Sequence, residues 1–180
     1  MVTGQVSKMV GAKVKRKEDP RLITGEGKYT DDVQLKGMTY LAILRSPFAR
    51  AKIKKIDGNE ALRQPGVLAL LTGEEINGQC KKPFPLFGLV ANMRIWDRWP
   101  MASNWANFVG EPIAAIVANS AAEASDALEF IDVDYEPETP VVDLEKATQE
   151  TSPLVHTELG TNLCYEASGS AGDADTAFRE

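Results

Sequence analysis

FVGEPIAAIVANSAAEASDALEFIDVDYEP, residues 108–137, is the stretch whose reading decides the fold class. Gly110 and Pro112 break the chain before an apolar run, Ile113–Ala118. That run has strand length and no polar residue, the pattern of a strand buried on both faces. Ser120 and Glu123 then stand at capping-box spacing, where the hydroxyl accepts from the Glu123 amide and the carboxylate reaches back. Ala121, Ala124, Leu128 and Ile131 follow at steps of three and four, which makes one helical stripe. The period then changes to two, with Ile131, Val133 and Tyr135 on one side and Asp132 and Asp134 on the other. Strand, short helix and strand in so few residues predict a tight βαβ unit over 113–136, right-handed, with its strands parallel.

Outward from this unit, composition sets bounds. The 180 residues are 43% hydrophobic and 26% charged, ordinary values for a globular chain. A net charge of −6 argues against a nucleic-acid partner. The charge is unevenly spread. Residues 1–63 hold 14 Lys/Arg against 7 Asp/Glu, and residues 64–180 hold 6 against 19. Two cysteines, Cys80 and Cys164, stand far apart with no CxxC spacing, so neither a zinc nor an iron–sulfur motif is present. Free thiols, the lack of a signal-peptide apolar region and the lack of any apolar run near the ~18 residues of a membrane span lead to the expectation of a cytoplasmic protein.

N-terminal to the unit, residues 1–15 read as a flexible basic arm. Gly25 and Gly27 form a Gly-x-Gly without the third glycine, buried strand and helix of a phosphate loop, so a turn is expected. Adjacent Asp31 and Asp32 are read as turn residues. Met38–Arg45 is a strand closed by Ser46-Pro47. Arg50–Asp57, with Ile53 and Ile56 among lysines, is expected to be an exposed or edge strand, its lysines discouraging edge-to-edge pairing. Asp57 caps a short helix, Asn59–Arg63. Val67–Leu71 is a second buried strand, and Thr72 with Glu75 opens a single helical turn.

Residues 77–112 form a long loop carrying all three tryptophans. Trp96, Trp99 and Trp105, interleaved with Arg94 and Arg98, have the composition of an interface hot spot. Aromatic cover for the sheet is the other reading, and both stand open at this level. His156 is the single histidine; with no second ligand or nucleophile at motif spacing it is not expected to be catalytic. Gly172–Glu180 reads as the beginning of a new helix capped by Asp173.

Several segments together resemble one family. Arg16–Asp32 (RKEDPRLITGEGKYTDD), Gly37–Ala51 (GMTYLAILRSPFARA), Pro65–Glu75 (PGVLALLTGEE), residues 108–136, Pro140–Asp143, and the neighbourhoods of Asn162 and Gly172–Phe178 are similar, in order, to the N-terminal part of the large subunit of the molybdenum hydroxylases. That group holds xanthine dehydrogenase, aldehyde oxidoreductase and aerobic carbon monoxide dehydrogenase. The motif positions are Arg45, Ser46, Pro47, Gly110, Glu111 and Pro112. The resemblance implies an α+β fold, the α/β-hammerhead with a mixed β-sheet and short helices, over residues 16–150, followed by a linker and the truncated start of a molybdopterin-binding domain over 151–180. It implies a supporting rather than catalytic role, with no catalytic, cofactor or metal residue in this chain. Molybdopterin cofactor, [2Fe-2S] and FAD are implied for the complete complex, and the expected partners are the molybdopterin-binding domain and the flavin and iron–sulfur subunits. A stand-alone interaction module using the loop 94–105 is the alternative. Two departures stand beside well-kept motifs: Arg50 where the family often has His, and Asn107 where it often has a basic residue.

Overall fold

The computed structural model describes residues 14–84, 92–169 and 171–179, so most of the expected basic arm, residues 1–13, lies outside the described residues, as does 85–91 of the long loop. The chain divides into two compact units, Met1–Met38 and Thr39–Glu180. In the first, α1 (Asp19–Ile23) starts with Pro20 in its first turn, where a missing N–H costs nothing. Gly25 follows at φ +75°, the left-handed conformation that ends helices. The Gly-x-Gly is therefore a helix exit. Asp31 and Asp32 lie in a 3-10 turn, Thr30–Asp32, and the Tyr29 amide donates to the Asp32 carboxylate at 2.8 Å.

The second unit holds two three-stranded sheets, and its class is α+β. Strands β1 (Tyr40–Arg45), β3 (Val67–Thr72) and β5 (Pro112–Ala118) form one sheet in the order β1-β5-β3. Strands β2 (Ala51–Asp57), β4 (Trp105–Ala106) and β6 (Asp132–Pro137) form the other in the order β4-β2-β6. Among the described residues every strand pairing is antiparallel. This corrects the expected parallel pairing and mixed sheet. The strand–helix–strand elements exist where expected, but β5 and β6 join different sheets. β5 is buried because it is the central strand of its sheet and is covered on both faces. Burial on two faces is what the sequence pattern records, and a sandwiched antiparallel strand produces it as well as a parallel one does.

One face of β5 packs under α3 (Ala121–Ala127). There Ile116 and Ala118 meet Ala61, Ala124 and Ala127, with Tyr40, Leu70 and Ile131 around them. On the other face Ile113 meets Ile53 and Ala102, flanked by Ile56, Val133 and Tyr135 of the second sheet. Ser120 caps α3 by accepting from the Glu123 amide at 3.2 Å. The Glu123 carboxylate takes the Ser120 hydroxyl itself, at 2.8 Å. Ala121 is exposed and Ala127 buried, so the stripe runs through Ala124, Ala127, Leu128 and Ile131.

Two further expectations are corrected. β2 is the central strand of its sheet, not an edge. Its lysines are nonetheless exposed, as the other alternative requires, and they line a solvent face opposite the acidic residues of β6. Lys55 pairs with Asp134 in register, and Lys54 reaches Glu136 at 3.3 Å. The helix opened by Thr72, α2 (Gly73–Gln79), has seven residues instead of one turn. Its capping box is complete: the Thr72 amide donates to the Glu75 carboxylate at 2.8 Å. Past β6, Asp143 caps α4 (Leu144–Ala147), and α5 (Ala174–Ala177) follows Asp173, which accepts from the Thr176 amide.

Candidate functional site

Two motifs separated by more than sixty residues clasp one another. The end of β1 and the start of β5 are neighbours, and Arg45 pairs with Pro112 where the register shifts. The Ser46 amide donates to the Glu111 carbonyl at 2.9 Å, and the Gly110 amide donates to the Ser46 carbonyl at 2.8 Å. Arg45 Nη1 donates to the Gly110 carbonyl at 2.8 Å. Ser46 is only 2% exposed; its hydroxyl accepts from the Phe48 amide and donates to the Phe48 carbonyl. Pro47 and Pro112 lack an N–H, so neither leaves a donor unmatched beside the clasp. Gly110 sits at φ +89°, which a side chain resists.

Next to the clasp lies Arg50, a charged residue only 7% exposed. Burying a guanidinium is tolerated when its donors are matched, and here three directions are. Nη1 donates to the Val155 carbonyl at 2.8 Å and to Asn107 Oδ1. Nε reaches Glu138 Oε2 at 3.4 Å. The guanidinium lies 4.1 Å over the Trp105 ring, a cation–π contact. Glu111 accepts from the Asn107 amide. Burial pushes its carboxyl above the usual range, against the opposing pull of the Asn107 and Phe108 amides, Arg50 and Arg98. A hollow of about 200 Å³ opens beside this hub, between Arg50, Asn107, Phe108, Glu138 and Val155.

The tryptophans are divided. Trp105 belongs to β4 and lies half-buried beneath Arg50. Trp96 stacks on His156, ring centroids 4.6 Å apart and planes at 22°. His156 Nδ1 is 3.4 Å from Glu158. The Arg94 amide donates to the Cys164 carbonyl, and the Phe84 amide to the Arg98 carbonyl, both at 2.8 Å. Trp99 is half-buried, while the Arg94 and Arg98 side chains are exposed. Asn162 staples the segment after α4: its Nδ2 donates to the Pro153 carbonyl and its Oδ1 accepts from the Val155 amide.

The sequence reading missed the hub as a unit, because its members come from residues 50, 105, 107, 111, 138 and 155. The usable signal was the pair of departures at Arg50 and Asn107, which turn out to be in direct contact. Among the described residues, no three His, Cys, Asp or Glu side chains gather as metal ligands. No helix there is long and apolar enough to cross a membrane.

Residues 24–139 match the family described as aldehyde oxidase and xanthine dehydrogenase, a/b hammerhead domain. The chain is 33% identical over 174 residues to the nicotine 6-hydroxylase large subunit of Paenarthrobacter nicotinovorans, covering 94% of this chain and 21% of that protein. It is 36% identical over 150 residues to the carbon monoxide dehydrogenase large chain of Afipia carboxidovorans, covering 83% of this chain and 18% of that one. Among solved structures, quinoline 2-oxidoreductase from Pseudomonas putida 86 superposes with a TM-score of 0.79 at 35% identity, over 86% of this chain and 20% of that chain. The chain thus spans about a fifth of the length of the curated relatives it matches.

Proposed function

The chain belongs to the aldehyde oxidase and xanthine dehydrogenase family, whose α/β-hammerhead domain it carries, and from that premise we propose that its role in a molybdenum-dependent oxidoreductase is structural. It supports the cofactor-bearing domain and the contacts between subunits. The observation that carries this reading is where the motif residues spend their polar groups. Arg45, Ser46, Gly110 and Glu111 bond to one another across the β1–β5 junction, and Arg50 is engaged by Asn107, Glu138 and Val155. A catalytic constellation keeps a nucleophile or a proton-transfer group open towards substrate. Here Ser46 and Arg50 are buried, and the polar groups of the motif residues are spent on one another or on neighbouring backbone.

The complete complex, on this proposal, oxidises an aldehyde, carbon monoxide or a purine-like heterocycle. Its molybdenum centre supplies the oxidation with water as oxygen source, and iron–sulfur and flavin subunits carry the electrons away. This chain's donor set does not fit a [2Fe-2S] cluster, since four thiolates hold one and the chain has two cysteines. The cluster, the pterin and the flavin are assigned to partner domains and subunits.

The test is co-expression with the adjacent reading frames, followed by metal and flavin analysis of the purified assembly. Molybdenum, iron and FAD co-purifying with this chain are expected. An assembly without any of the three overturns the proposal and favours a stand-alone interaction module built on the loop 94–105. The chain assayed alone against aldehydes is expected to show no turnover.

A further inference from the structure

We propose that the surface carrying Trp96 is a preformed basic and apolar socket for an acidic, apolar face of a partner subunit. The inference rests on the reading of this chain as one member of a larger assembly, and it adds the chemistry of the partner. Past residue 63 the chain holds only 6 Lys/Arg among 19 Asp/Glu. Four of those six cations, Lys81, Lys82, Arg94 and Arg98, fall in two short segments that the backbone draws together. The Phe84 amide donates to the Arg98 carbonyl at 2.8 Å, and the two residues form an isolated antiparallel bridge. All four cations are exposed, although Arg98 also lies within electrostatic reach of the half-buried Glu111. A cluster of cations in the acidic part of an acidic chain is a local field of opposite sign, which selects an anionic partner.

Apolar groups lie among these charges. Phe84 is 55% and Tyr165 51% exposed, with Ile95 and Leu163 also exposed. Exposed aromatic and aliphatic side chains interleaved with arginine form the composition of an interface core rather than of a solvated face. The surface is held before anything binds. The Arg94 amide ties the loop to Cys164, and Trp96 is pinned on His156. Those two ties are already made before docking, which lowers the entropy that association has to spend at Arg94 and Trp96.

The experiment uses the assembly isolated from its native host by a tag on this chain. A zero-length carbodiimide joins lysine amines to carboxylates in contact, and peptide mass spectrometry reads the product. Lys81 or Lys82 is expected to be joined to an Asp or Glu of another chain, in a peptide that is otherwise apolar. In parallel, the double variant Arg94→Glu/Arg98→Glu leaves the backbone bonds of both residues in place. It is expected to keep its circular dichroism and to associate about tenfold more slowly with that cross-linked chain at low ionic strength, a difference that salt removes. Cross-links confined to this chain, or unchanged association of the double variant, overturn the proposal. So does retention of the wild type, but not the variant, on duplex DNA or phosphatidylserine vesicles. If the assembly carries molybdenum and the cross-link is missing, the socket fails and the family role stands. If no molybdenum, iron or flavin accompanies the chain, the underlying role fails first.

Discussion

Arg50 and Asn107 are 57 residues apart, and their side chains meet. The family resemblance implies that a histidine often stands at the first position and a basic residue at the second, whereas this chain carries a cation at position 50 and a neutral amide at 107. The two positions are therefore expected to couple. Asn107→Arg alone sets a second guanidinium against a buried one and is destabilising. Combined with Arg50→His, it restores a single cation at the site. A double-mutant cycle by chemical denaturation should give a coupling of roughly 0.5–3 kcal/mol, and additive single effects would contradict it. His156 gives a second prediction at this scale. Burial against Trp96 holds its ring below the ordinary value of 6.5, opposed by Glu158 and reinforced by Arg50. The folded state therefore favours the neutral ring. Its contribution to stability is complete above 6.5 and is lost as the pH falls below that value towards the lowered one. The stability difference between wild type and His156→Phe, which keeps an aromatic ring there, is expected to shrink over that interval. A difference independent of pH would exclude the neutral-ring preference.

Among the elements, α2 shows how local rules and packing combine. Thr72 and Glu75 fix its start through a complete capping box. Its length is set elsewhere, by Asn77, whose Nδ2 donates to the Met101 carbonyl and to Ser103 Oγ at 2.8 Å each. That anchorage extends the helix past the single turn that local spacing predicts. The loop comes so close that a Cβ on Gly73 would stand 2.0 Å from the Ala102 carbonyl oxygen. Gly73 needs no positive φ; what excludes a side chain is the neighbouring backbone. Gly73→Ala is expected to cost about 1–3 kcal/mol, the usual size for overpacking, and to loosen residues 101–103 in hydrogen exchange. An unchanged midpoint in denaturant would show that the loop yields freely. β2 carries a similar lesson. Its lysine-rich pattern suggests an edge, but the bulge between Ile53 and Lys55 turns Lys54 and Lys55 out to solvent while β4 and β6 pair on either side.

For the whole molecule, the tryptophans separate the two jobs of the second unit. Trp105 belongs to the hub around Arg50, and Trp96 to the surface assigned to a partner. Trp96→Ala with Trp99→Ala is expected to leave the two sheets folded and to weaken assembly by roughly 2 kcal/mol or more, measured by titration of the purified subunits. Loss of the folded state instead would place both rings in the core. Lys55 opposite Asp134 and Lys54 against Glu136 show how the uneven charge along the chain is balanced within this unit. The lysines of β2 lie against the acidic residues of β6, so basic and acidic parts of the sequence neutralise each other across one sheet.

By itself, the sequence determined the elements, because periodicity, capping residues and turn-forming glycines act over a few neighbouring positions. The run Ile113–Ala118, the Ser120 cap and the alternation through Tyr135 are all found where those rules put them. Family membership was also legible, since its motifs, RSPFARA and FVGEP among them, are local strings. Which sheet each strand joins was decided only in three dimensions. A buried strand records how much apolar surface it hides and not the direction of its neighbours, so β5 and β6 parted into separate antiparallel sheets. The hub around Arg50 was likewise invisible in one dimension. Its partners come from three separate parts of the chain, around residues 105–107, 138 and 155, and a buried guanidinium can be stable only where the fold brings all of them to it.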